Sequence, residues 1–406
     1  MHYDDAAEFR DADVVGFSAT TGVHREALAI ASRLKTASKA VIVMGGPHPT
    51  FFPDVVERPE IDYVFRGEAE SCFPAFLDSY PDLPDERVVF CSPQDLTAIP
   101  WPDREELYKY DAHRNNPIKN IMCSRGCAFA ARKSLDGTYT GCSYCYAGSF
   151  YHIFGGKPVR WRDPDDILAE TEYLVGHWPV KMIFFQDDSF LSMPRVEDFL
   201  EAYASRVGVP FHAQMRVESV TKEKLLALRE AGCRSITMAL ESGSERVRKE
   251  ILNRHMSNES VIEACRLIRE VGLRFRIENM VGIPGETLEE MVSTLDMNIK
   301  LRPTIGWASI YTPYPNTPLA EKARRDGLWD GTVDNFYDSF FDESVMDIPH
   351  AREASVIQKL FSIVTWQPWL RGIAIFLMRH TRSSWLYKVL YRVVKKHLYK
   401  RGLYGV

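Results

Sequence analysis

Four of the eight cysteines in this 406-residue chain lie close together in the sequence. They are Cys123, Cys127, Cys142 and Cys145. Thiols at such short spacing, in a sequence of intracellular type, indicate a metal ion or a metal cluster. The cysteines alone leave two alternatives: four thiolates around one zinc ion, or three thiolates on an iron–sulfur cluster. The other four are scattered among apolar neighbours, which favours buried packing: Cys72, Cys91, Cys233 and Cys265.

The composition, 45% apolar and 26% charged, is typical of a soluble globular protein. The length suits two domains, or one barrel with attachments. The opening residues, MHYDDAAEFRDADVV, include no basic and apolar leader, so we expect a cytoplasmic protein. The net charge of −5 is uneven, because residues 354–406 carry ten basic and no acidic side chains. The rest of the chain is acidic, which argues against a nucleic-acid partner.

Residues 1–82 alternate apolar runs with helical periodicity. We predict strands at 11–19, 40–46 and 61–68, and helices at 24–35, 53–58 and 69–80. Val/Ile-rich runs separated by helices predict a doubly wound parallel sheet of Rossmann-like type. Such domains usually have about five or six strands, so we expect this one to be truncated. Residues 83–117 are rich in proline and predict a linker.

The clustered cysteines fall in a second unit, residues 118–330, where strands and helices alternate again. The predicted strands are 118–123, 181–187, 210–217, 235–242, 274–282 and 306–313. Most are separated by an amphipathic helix, which predicts a partial (β/α)6 barrel and an α/β fold class. Barrels of this kind hold their active sites at the carboxyl ends of the strands.

Polar or glycine-rich clusters follow each predicted barrel strand. They are Cys123–Cys145, Gln186–Asp188, Arg216–Glu218, Glu241–Gly243, Gly282–Glu286 and Tyr314–Asn316. Each cluster taken alone has an ordinary explanation. An Asp pair after a strand is common in turns, and an Arg at a strand end is often exposed to solvent. Their succession at every strand end predicts one shared site.

This ordered set, over residues 118–327, resembles the radical S-adenosylmethionine (SAM) superfamily. The resemblance implies that Cys127, Cys142 and Cys145 hold a [4Fe–4S] cluster whose open iron binds SAM. The cluster then cleaves SAM reductively to a radical that abstracts hydrogen from an organic substrate. The spacing here is C-x14-C-x2-C, whereas the family commonly has C-x3-C-x2-C. Under this interpretation Cys123 is a bystander, and the residues 128–141 form an insert.

The resemblance also implies a set of SAM contacts. Tyr144 would lie against adenine, and Asp187 and Asp188 would accept from the methionyl ammonium. Arg216 would pair with a carboxylate. The remaining implied contacts, to the ribose or carboxylate and then to adenine, are Glu241, Ser242 and Gly243, followed by Gly282, Pro284 and Gly285.

The N-terminal sheet resembles part of a cobalamin (B12)-binding domain, which precedes the barrel in one subgroup of that superfamily. The resemblance implies polar contacts from Ser18, Thr20 and Glu68, and close backbone approach at Gly45 and Gly46. His48 is expected to be exposed, not a cobalt ligand. Whether cobalamin is bound stays open, because the earlier strands of that domain are missing.

Residues 331–406 predict a helical extension, apolar and aromatic with Lys and Arg interleaved. No run reaches the roughly 20 apolar residues that a membrane span needs. Two alternatives remain: a helical cap over the open barrel, or helices that lie on anionic lipid at the inner membrane face.

The sequence therefore predicts a radical SAM enzyme, with a cobalamin-type methyltransferase preferred. One alternative is a ring-forming oxidoreductase that resembles the anaerobic magnesium-protoporphyrin ester cyclase. Another is a paralogue that binds the cluster without turnover, and a third is a non-catalytic, four-Cys zinc module. The expected partners are a small-molecule or lipid-like substrate and an electron donor such as flavodoxin or ferredoxin.

Overall fold

The computed structural model describes residues 9, 11–334, 336, 341, 343–382 and 385–397, with side chains described as far as residue 394. The elements fall into an N-terminal sheet, a barrel and a set of C-terminal helices.

The N-terminal unit is a parallel sheet wrapped by helices on both faces. Its elements are β1 (Val14–Ser18), α1 (His24–Ala37), β2 (Val41–Gly45), α2 (Pro47–Phe51), β3 (Tyr63–Gly67), α3 (Cys72–Asp78) and β4 (Val88–Cys91). The strand order is β1-β2-β3-β4, and every pairing is parallel. Leu34 of α1 packs in the core on one face, and Phe76 of α3 packs in the core on the other. This arrangement confirms the doubly wound, Rossmann-like prediction.

The sequence prediction missed two features of this unit. Strand β4 lies inside the stretch predicted as a linker, because four apolar residues among prolines are too short a signal for an edge strand. The predicted helix at 53–58 is a 3₁₀ turn, Pro53–Glu57, which follows α2. The rest of the predicted linker is also partly ordered, with α4 (Arg104–Tyr108) and α5 (Asp111–Arg114).

The barrel is an open, all-parallel sheet of six strands. Its elements begin with β5 (Ile118–Ile121), β6 (Ser124–Gly126), α6 (Tyr146–Phe154), β7 (Val159–Trp161), α7 (Pro164–His177), β8 (Met182–Phe185), α8 (Val196–Arg206) and β9 (Phe211–Gln214). They continue with α9 (Lys222–Glu230), β10 (Cys233–Glu241), α10 (Asn258–Val271), β11 (Arg274–Val281), α11 (Leu288–Leu301), β12 (Ile305–Ile310) and α12 (Pro318–Arg325). The order β5-β8-β9-β10-β11-β12 follows the chain, which confirms the partial (β/α)6 prediction.

Two additions modify the plain barrel pattern near the cysteines. Strands β6 and β7 form an antiparallel pair that flanks the cysteine loop. A π-helical turn, Val247–Ile251, follows β10. Isolated π-helical turns occur frequently at functional sites, because they shift the register of the following residues.

The C-terminal helices are α13 (Ala351–Trp366), α14 (Arg371–His380) and α15 (Trp385–His397). Helix α13 covers β12 at the edge of the barrel sheet: Ser362 Oγ donates to the Gly306 carbonyl at 2.7 Å, and Gln358 Nε2 donates to the Ala308 carbonyl at 3.0 Å. Within the described residues, no helix has the length and apolar character needed to cross a membrane.

Candidate active site

Three of the four clustered cysteines line one cavity at the carboxyl ends of the barrel strands. This cysteine cavity has a volume of about 180 Å³, and its walls include Cys127, Cys142 and Cys145. Cys145 is the N-cap of α6, where its Sγ accepts from the Ala147 N–H at 3.4 Å. Arg216 Nη1 lies 3.8 Å from the Cys142 Sγ. The three thiols therefore face one space with charged neighbours on its far side.

Cys123 lies outside this cavity. It is fully buried in the barrel core, and its N–H contacts both carboxylate oxygens of Asp187 at 3.1 Å. A zinc ion needs its four ligands around a single point, whereas the buried Cys123 does not line the cavity that the other three cysteines share. The geometry therefore does not support the four-Cys zinc alternative. Three thiols around a wider cavity suit a cluster of several irons.

The insert at 128–141 folds back on itself next to the cysteines. Lys133 pairs with Thr140 in an antiparallel bridge, and Phe129 and Ala130 line the cysteine cavity. At the base of the insert, Gly141 has φ +78°, and a Cβ on it would lie 2.8 Å from the Gly148 Cα. Only glycine permits both this backbone and this approach. The insert thus closes one side of the cavity.

Tyr144, Glu241 and Arg254 form a hydrogen-bonded group in the wall of the cysteine cavity. Tyr144 Oη donates to Glu241 Oε1 at 2.7 Å, and Arg254 Nη1 donates to Tyr144 Oη at 3.5 Å. Burial raises the pKa of Glu241, although Arg254 and Tyr144 act in the opposite direction. Burial alone would lower the pKa of Arg254, but Tyr144, Cys142 and Glu241 raise it overall. Arg254 is therefore held as a cation inside the protein.

The backbone at Glu241 has an unusual conformation. Its φ is +71°, and the pairing of β10 with β11 shifts register between Ala239 and Glu241. A non-glycine residue in the left-handed region is uncommon, and bulges of this kind re-aim a side chain. This local distortion directs the Glu241 carboxylate toward Tyr144.

Arg216 forms a second cationic contact in the cavity wall. Its guanidinium lies 3.9 Å from the centre of the Phe129 ring and donates to Glu218 Oε1 at 2.7 Å. Burial and Arg254 act to lower the pKa of Arg216, but its ion pair with Glu218 helps to raise it. The Nε atoms of Arg216 and Arg254 are both buried and have no hydrogen-bond partner among the described residues. Each of these two guanidinium groups therefore has an N–H that can donate a hydrogen bond to a ligand in the cavity.

The two aspartates after β8 have different surroundings. Asp188 lines the cysteine cavity, and burial followed by the charges of Asp187 and Glu278 raises its pKa. The Asp187 side chain is buried and does not line this cavity. Its Oδ1 also accepts a hydrogen bond from Ser124 Oγ at 2.5 Å. The structure therefore brings Asp188, but not Asp187, to the cavity that holds the predicted SAM contacts.

Ser242 and Gly243 pack against α11 and do not line the cavity. The Gly243 N–H donates to Thr294 Oγ1 at 2.9 Å, and a Cβ at Gly243 would lie 2.4 Å from the Ser293 carbonyl oxygen. Ser242 is fully buried, and its Oγ lies 3.4 Å from Thr294 Oγ1. These two residues hold the strand end close to the helix.

The glycine-rich turn after β11 is likewise outside the cysteine cavity. Gly282 is covered by Ile348 and Ala354, while Pro284 and Gly285 line a separate cleft beside the insert. Glu286 closes this turn: its Oε2 accepts from the N–H groups of Gly282 and Ile283 at 3.0 and 3.2 Å. Burial raises the pKa of Glu286 to about 8.

A larger cavity, of about 940 Å³, lies between the N-terminal sheet and the barrel. Ser18, Gly46 and Glu68 line this interdomain cavity, as predicted for a cobalamin site, whereas Thr20 and Gly45 do not. Gly46 has φ +93° and sits against Ser18 and Ala19. Asp188 and Ala147 line both cavities, so the two spaces adjoin.

Glu68 is not a free polar group. It pairs with Arg160 and, at 3.3 Å, with Arg125, both from the β6–β7 pair. The prediction for His48 was wrong: this side chain is buried, stacks on His24 at 4.0 Å between ring centroids, and contacts Thr21 Oγ1 at 3.1 Å. Burial lowers its pKa to about 3, so the imidazole is neutral.

Two prominent cavity residues were not predicted, Phe129 and Arg254. Phe129 belongs to the insert, which has no counterpart in the common cysteine spacing. Arg254 follows the π-helical turn after β10, and Asn253 before it has φ +52°. No sequence signal marks either residue, because both reach the cavity through irregular backbone.

Comparisons with known proteins agree with this geometry. The Radical SAM superfamily model matches residues 122–297, and the B12 binding domain model matches residues 3–77. The uncharacterized methyltransferase PH0819 of Pyrococcus horikoshii is 30% identical over 343 residues, which is 78% of this chain and 71% of that protein.

Two further proteins are similar. The anaerobic magnesium-protoporphyrin IX monomethyl ester cyclase of Cereibacter sphaeroides is 28% identical over 77% of this chain, which spans 53% of the cyclase. The solved structure of TsrM, a radical SAM methyltransferase from Kitasatospora setae with cobalamin and a [4Fe–4S] cluster bound, superposes with a TM-score of 0.64 at 18% identity. That match covers 79% of this chain and 69% of TsrM, and it confirms the fold. The chain belongs to the radical SAM superfamily, in the group that carries a B12-binding domain ahead of the radical SAM domain.

Proposed function

We propose that this radical SAM enzyme is a cobalamin-dependent methyltransferase that acts on a small organic molecule. The observation that carries the proposal is the junction of the two cavities at Asp188 and Ala147. A methyl group can pass from a corrin to a substrate radical only where the two cofactor sites open into one space. The similarity to methyltransferase PH0819 supports the same activity.

The cysteine cavity suits the cluster and SAM. Cys127, Cys142 and Cys145 would hold the [4Fe–4S] cluster, which supplies the electron that cleaves SAM. Tyr144, Glu241 and Asp188 offer polar or aromatic contacts to the nucleoside and the ammonium. Arg216 and Arg254 present buried guanidinium donors that match a carboxylate. Arg254 thus joins the predicted SAM contacts.

The walls of the interdomain cavity suit cobalamin. Gly46 and Gly67 leave the ends of β2 and β3 without side chains, and Phe51, Tyr146 and Phe150 supply apolar wall. Large ligands bind in such crevices at the carboxyl ends of parallel strands. The residues that we propose to contact the corrin are Ser18, Gly46 and Glu68, with Thr20 and Gly45 as outer positions.

The ring-forming oxidoreductase is the weaker alternative. A cyclase of this superfamily resembles the chain less closely than PH0819 does, and the chain spans about half of its length. A paralogue that holds the cluster without turnover would have the same cavities, so activity decides between them.

We also propose the partners and the setting. The enzyme would take its electron from a carrier such as flavodoxin or ferredoxin, and its substrate would be a small or lipid-like molecule. It would act in the cytoplasm, in peripheral contact with the inner face of the membrane. A nucleic-acid partner is not expected, because the basic residues are concentrated in the tail.

The test uses anaerobically reconstituted protein, SAM and a strong chemical reductant, with and without hydroxocobalamin. A methyltransferase should form 5′-deoxyadenosine in both reactions. It should form S-adenosylhomocysteine, the product left when SAM donates its methyl group, only with cobalamin. Deoxyadenosine alone under both conditions would favour the cyclase alternative. Neither product, from protein with a full complement of iron, would favour the paralogue without turnover.

A further inference from the structure

The C-terminal helices expose an apolar surface that the barrel does not use. The exposed side chains are Trp366 at the end of α13, Trp369 in the 3₁₀ turn Pro368–Leu370, and Ile373 and Phe376 on α14, with Trp369 72% exposed. The opposite face of α14 packs into the core through Ala374 and Met378. The exposed side chains are therefore a second apolar face of a helix that is already packed.

Helix α15 repeats this arrangement. Its outer face presents Trp385, Leu386, Val389, Leu390 and Val393, with Trp385 74% and Val393 63% exposed. Its inner face includes Tyr391, which is buried, and Tyr387, which packs against the same core as α14. The Tyr387 hydroxyl also lies 2.9 Å from Thr381 Oγ1, beside the end of α14. Exposed apolar faces of this kind mark interaction sites.

The sequence of these helices carries charge of one sign. After Glu353 the chain contains no acidic residue, and Arg379, Arg382 and Arg392 are exposed on or beside α14 and α15. Four more cations follow at Lys395, Lys396, Lys400 and Arg401. A basic amphipathic helix with Trp and Leu on its apolar face is the pattern of a helix that lies in a membrane interface.

The two helices are held firmly to the catalytic unit. Helix α13, on which both pack, is bonded to the backbone of β12 by Gln358 and Ser362. Arg371 at the start of α14 also pairs with Asp296 of α11, with 2.7 Å between Nη2 and Oδ2. The outer faces therefore keep a fixed orientation relative to the barrel.

We infer that α14 and α15 form the surface by which this protein docks on an anionic lipid bilayer. The inference rests on the proposed membrane contact and not on the methyl-transfer chemistry. The interleaved cations favour an anionic lipid surface over a second copy of this chain as the partner, because two such faces would place like charges together. Tryptophan side chains suit the headgroup level, and each Lys or Arg near an anionic surface adds electrostatic attraction. The long basic side chains can reach the headgroups while their stems lie on apolar surface.

The test measures flotation of the reconstituted full chain with vesicles. One set contains phosphatidylcholine alone, and the other contains phosphatidylcholine with phosphatidylglycerol. We expect binding to the anionic vesicles, weak binding to the neutral ones, a blue shift of tryptophan emission, and loss of binding as salt rises. The double variant Trp385→Ser/Val393→Ser and the triple variant Arg379→Gln/Arg382→Gln/Arg392→Gln should each weaken binding about tenfold or more.

Leu135→Ser is the matched control, because Leu135 in the insert is 63% exposed, as Val393 is, and lies away from the helices. It should bind vesicles like the unchanged protein. Equal binding to both vesicle types, or binding that neither multiple variant weakens, would overturn the inference. So would a stable dimer in solution that Trp385→Ser/Val393→Ser dissociates, since a second copy would then cover the face. Vesicle binding needs no turnover, so a failure of the proposed methyl transfer would leave this result intact.

Discussion

At the scale of single residues, some of the predicted SAM contacts face the cysteine cavity and others do not. Tyr144, Asp188 and Glu241 face it, while Asp187 and Ser242 turn the other way. Strand alternation does not explain this division, because Asp188 lies in a turn after β8 and Glu241 has a left-handed backbone at a register shift. The sequence predicted polar clusters at the strand ends, and their role in binding SAM stays a prediction. It could not determine which residues of each cluster line the cavity.

The first prediction at the residue scale is that Cys123, unlike the proposed ligands, is not needed to hold the cluster. Cys142→Ala should lose the iron, because it removes one of three ligands. Cys123→Ala should keep it, because Cys123 lies in the core and its contact to Asp187 is made by the backbone N–H, which alanine retains. Iron and sulfide counts after anaerobic reconstitution decide the matter. Iron loss from both variants would restore the four-thiolate interpretation.

The second residue-scale prediction concerns Arg254. Arg254→Gln should weaken SAM binding by about 1.5–3 kcal/mol, roughly 10- to 100-fold, because it removes a charged hydrogen-bond donor from a buried site. Equilibrium dialysis with the reconstituted protein measures this change, and circular dichroism checks the fold.

Two variants accompany Arg254→Gln. Arg254→Lys keeps the charge and should retain part of the affinity, and Arg229→Gln, on the exposed surface of α9, should bind SAM normally. Unchanged affinity in a folded Arg254→Gln protein would remove Arg254 from the site.

At the scale of elements, the six barrel strands were predicted because apolar runs recur along the chain and most are separated by a helical pattern. The sequence did not predict β4, the β6–β7 pair or the π-helical turn, since each is three to five residues long. Short elements are formed by tertiary contacts more than by local preference. The unpredicted cavity residue Arg254 follows one of these short elements.

The close packing of β10 on α11 gives an element-scale prediction. Gly243→Ala should lower the free energy of unfolding by about 1–3 kcal/mol, because the new Cβ would meet backbone atoms of Ser293 and Thr294 that cannot move freely. Gly176→Ala on α7 is the matched control: its Cβ would meet open space, so it should stabilise the helix by about 0.5–1 kcal/mol. Thermal unfolding measures both. Equal melting temperatures for the two variants would contradict the packing account.

The turn after β11 gives a prediction on pH. Glu286 has its pKa raised to about 8 in the folded protein, against an ordinary value of 4.5, so the folded state holds a proton that the unfolded chain releases. Stability is therefore lost as pH rises from about 4.5 to 8, by at most about 1.4 kcal/mol per pH unit. Glu286→Gln carries no titrating proton, so its stability relative to the unchanged protein should rise across that window and level off above it.

Glu290, in the first turn of α11, should behave in the opposite sense. Its contacts with Arg246, Ser244 and Thr287 lower its pKa to about 2, although its partial burial opposes them. Its contribution is present above pH 4.5 and is lost as pH falls toward 2, so Glu290→Gln should destabilise the protein at neutral pH. Denaturant unfolding over a pH series measures both variants. A stability difference for Glu286→Gln that is flat with pH would contradict the buried-carboxyl assignment.

At the scale of the whole molecule, the two units place two cavities side by side, with Asp188 and Ala147 lining both. They are joined by the Glu68 ion pairs, by stacking of Phe51 on Tyr146 at 3.9 Å, and by Asn316 Nδ2, which donates to the Phe51 carbonyl at 2.6 Å. The sequence predicted both units and their order. It could not predict that their cavities adjoin at Asp188, because that contact depends on how the two sheets dock.

The most direct test of the account counts metals after anaerobic reconstitution with and without hydroxocobalamin. We expect a brown protein with about four irons and four sulfides per chain, and one cobalt when hydroxocobalamin is present. A colourless protein with one zinc per chain would contradict it at the cysteine cavity. A protein that keeps its iron but takes up no cobalt would contradict it at the interdomain cavity, and with it the proposed methyl transfer.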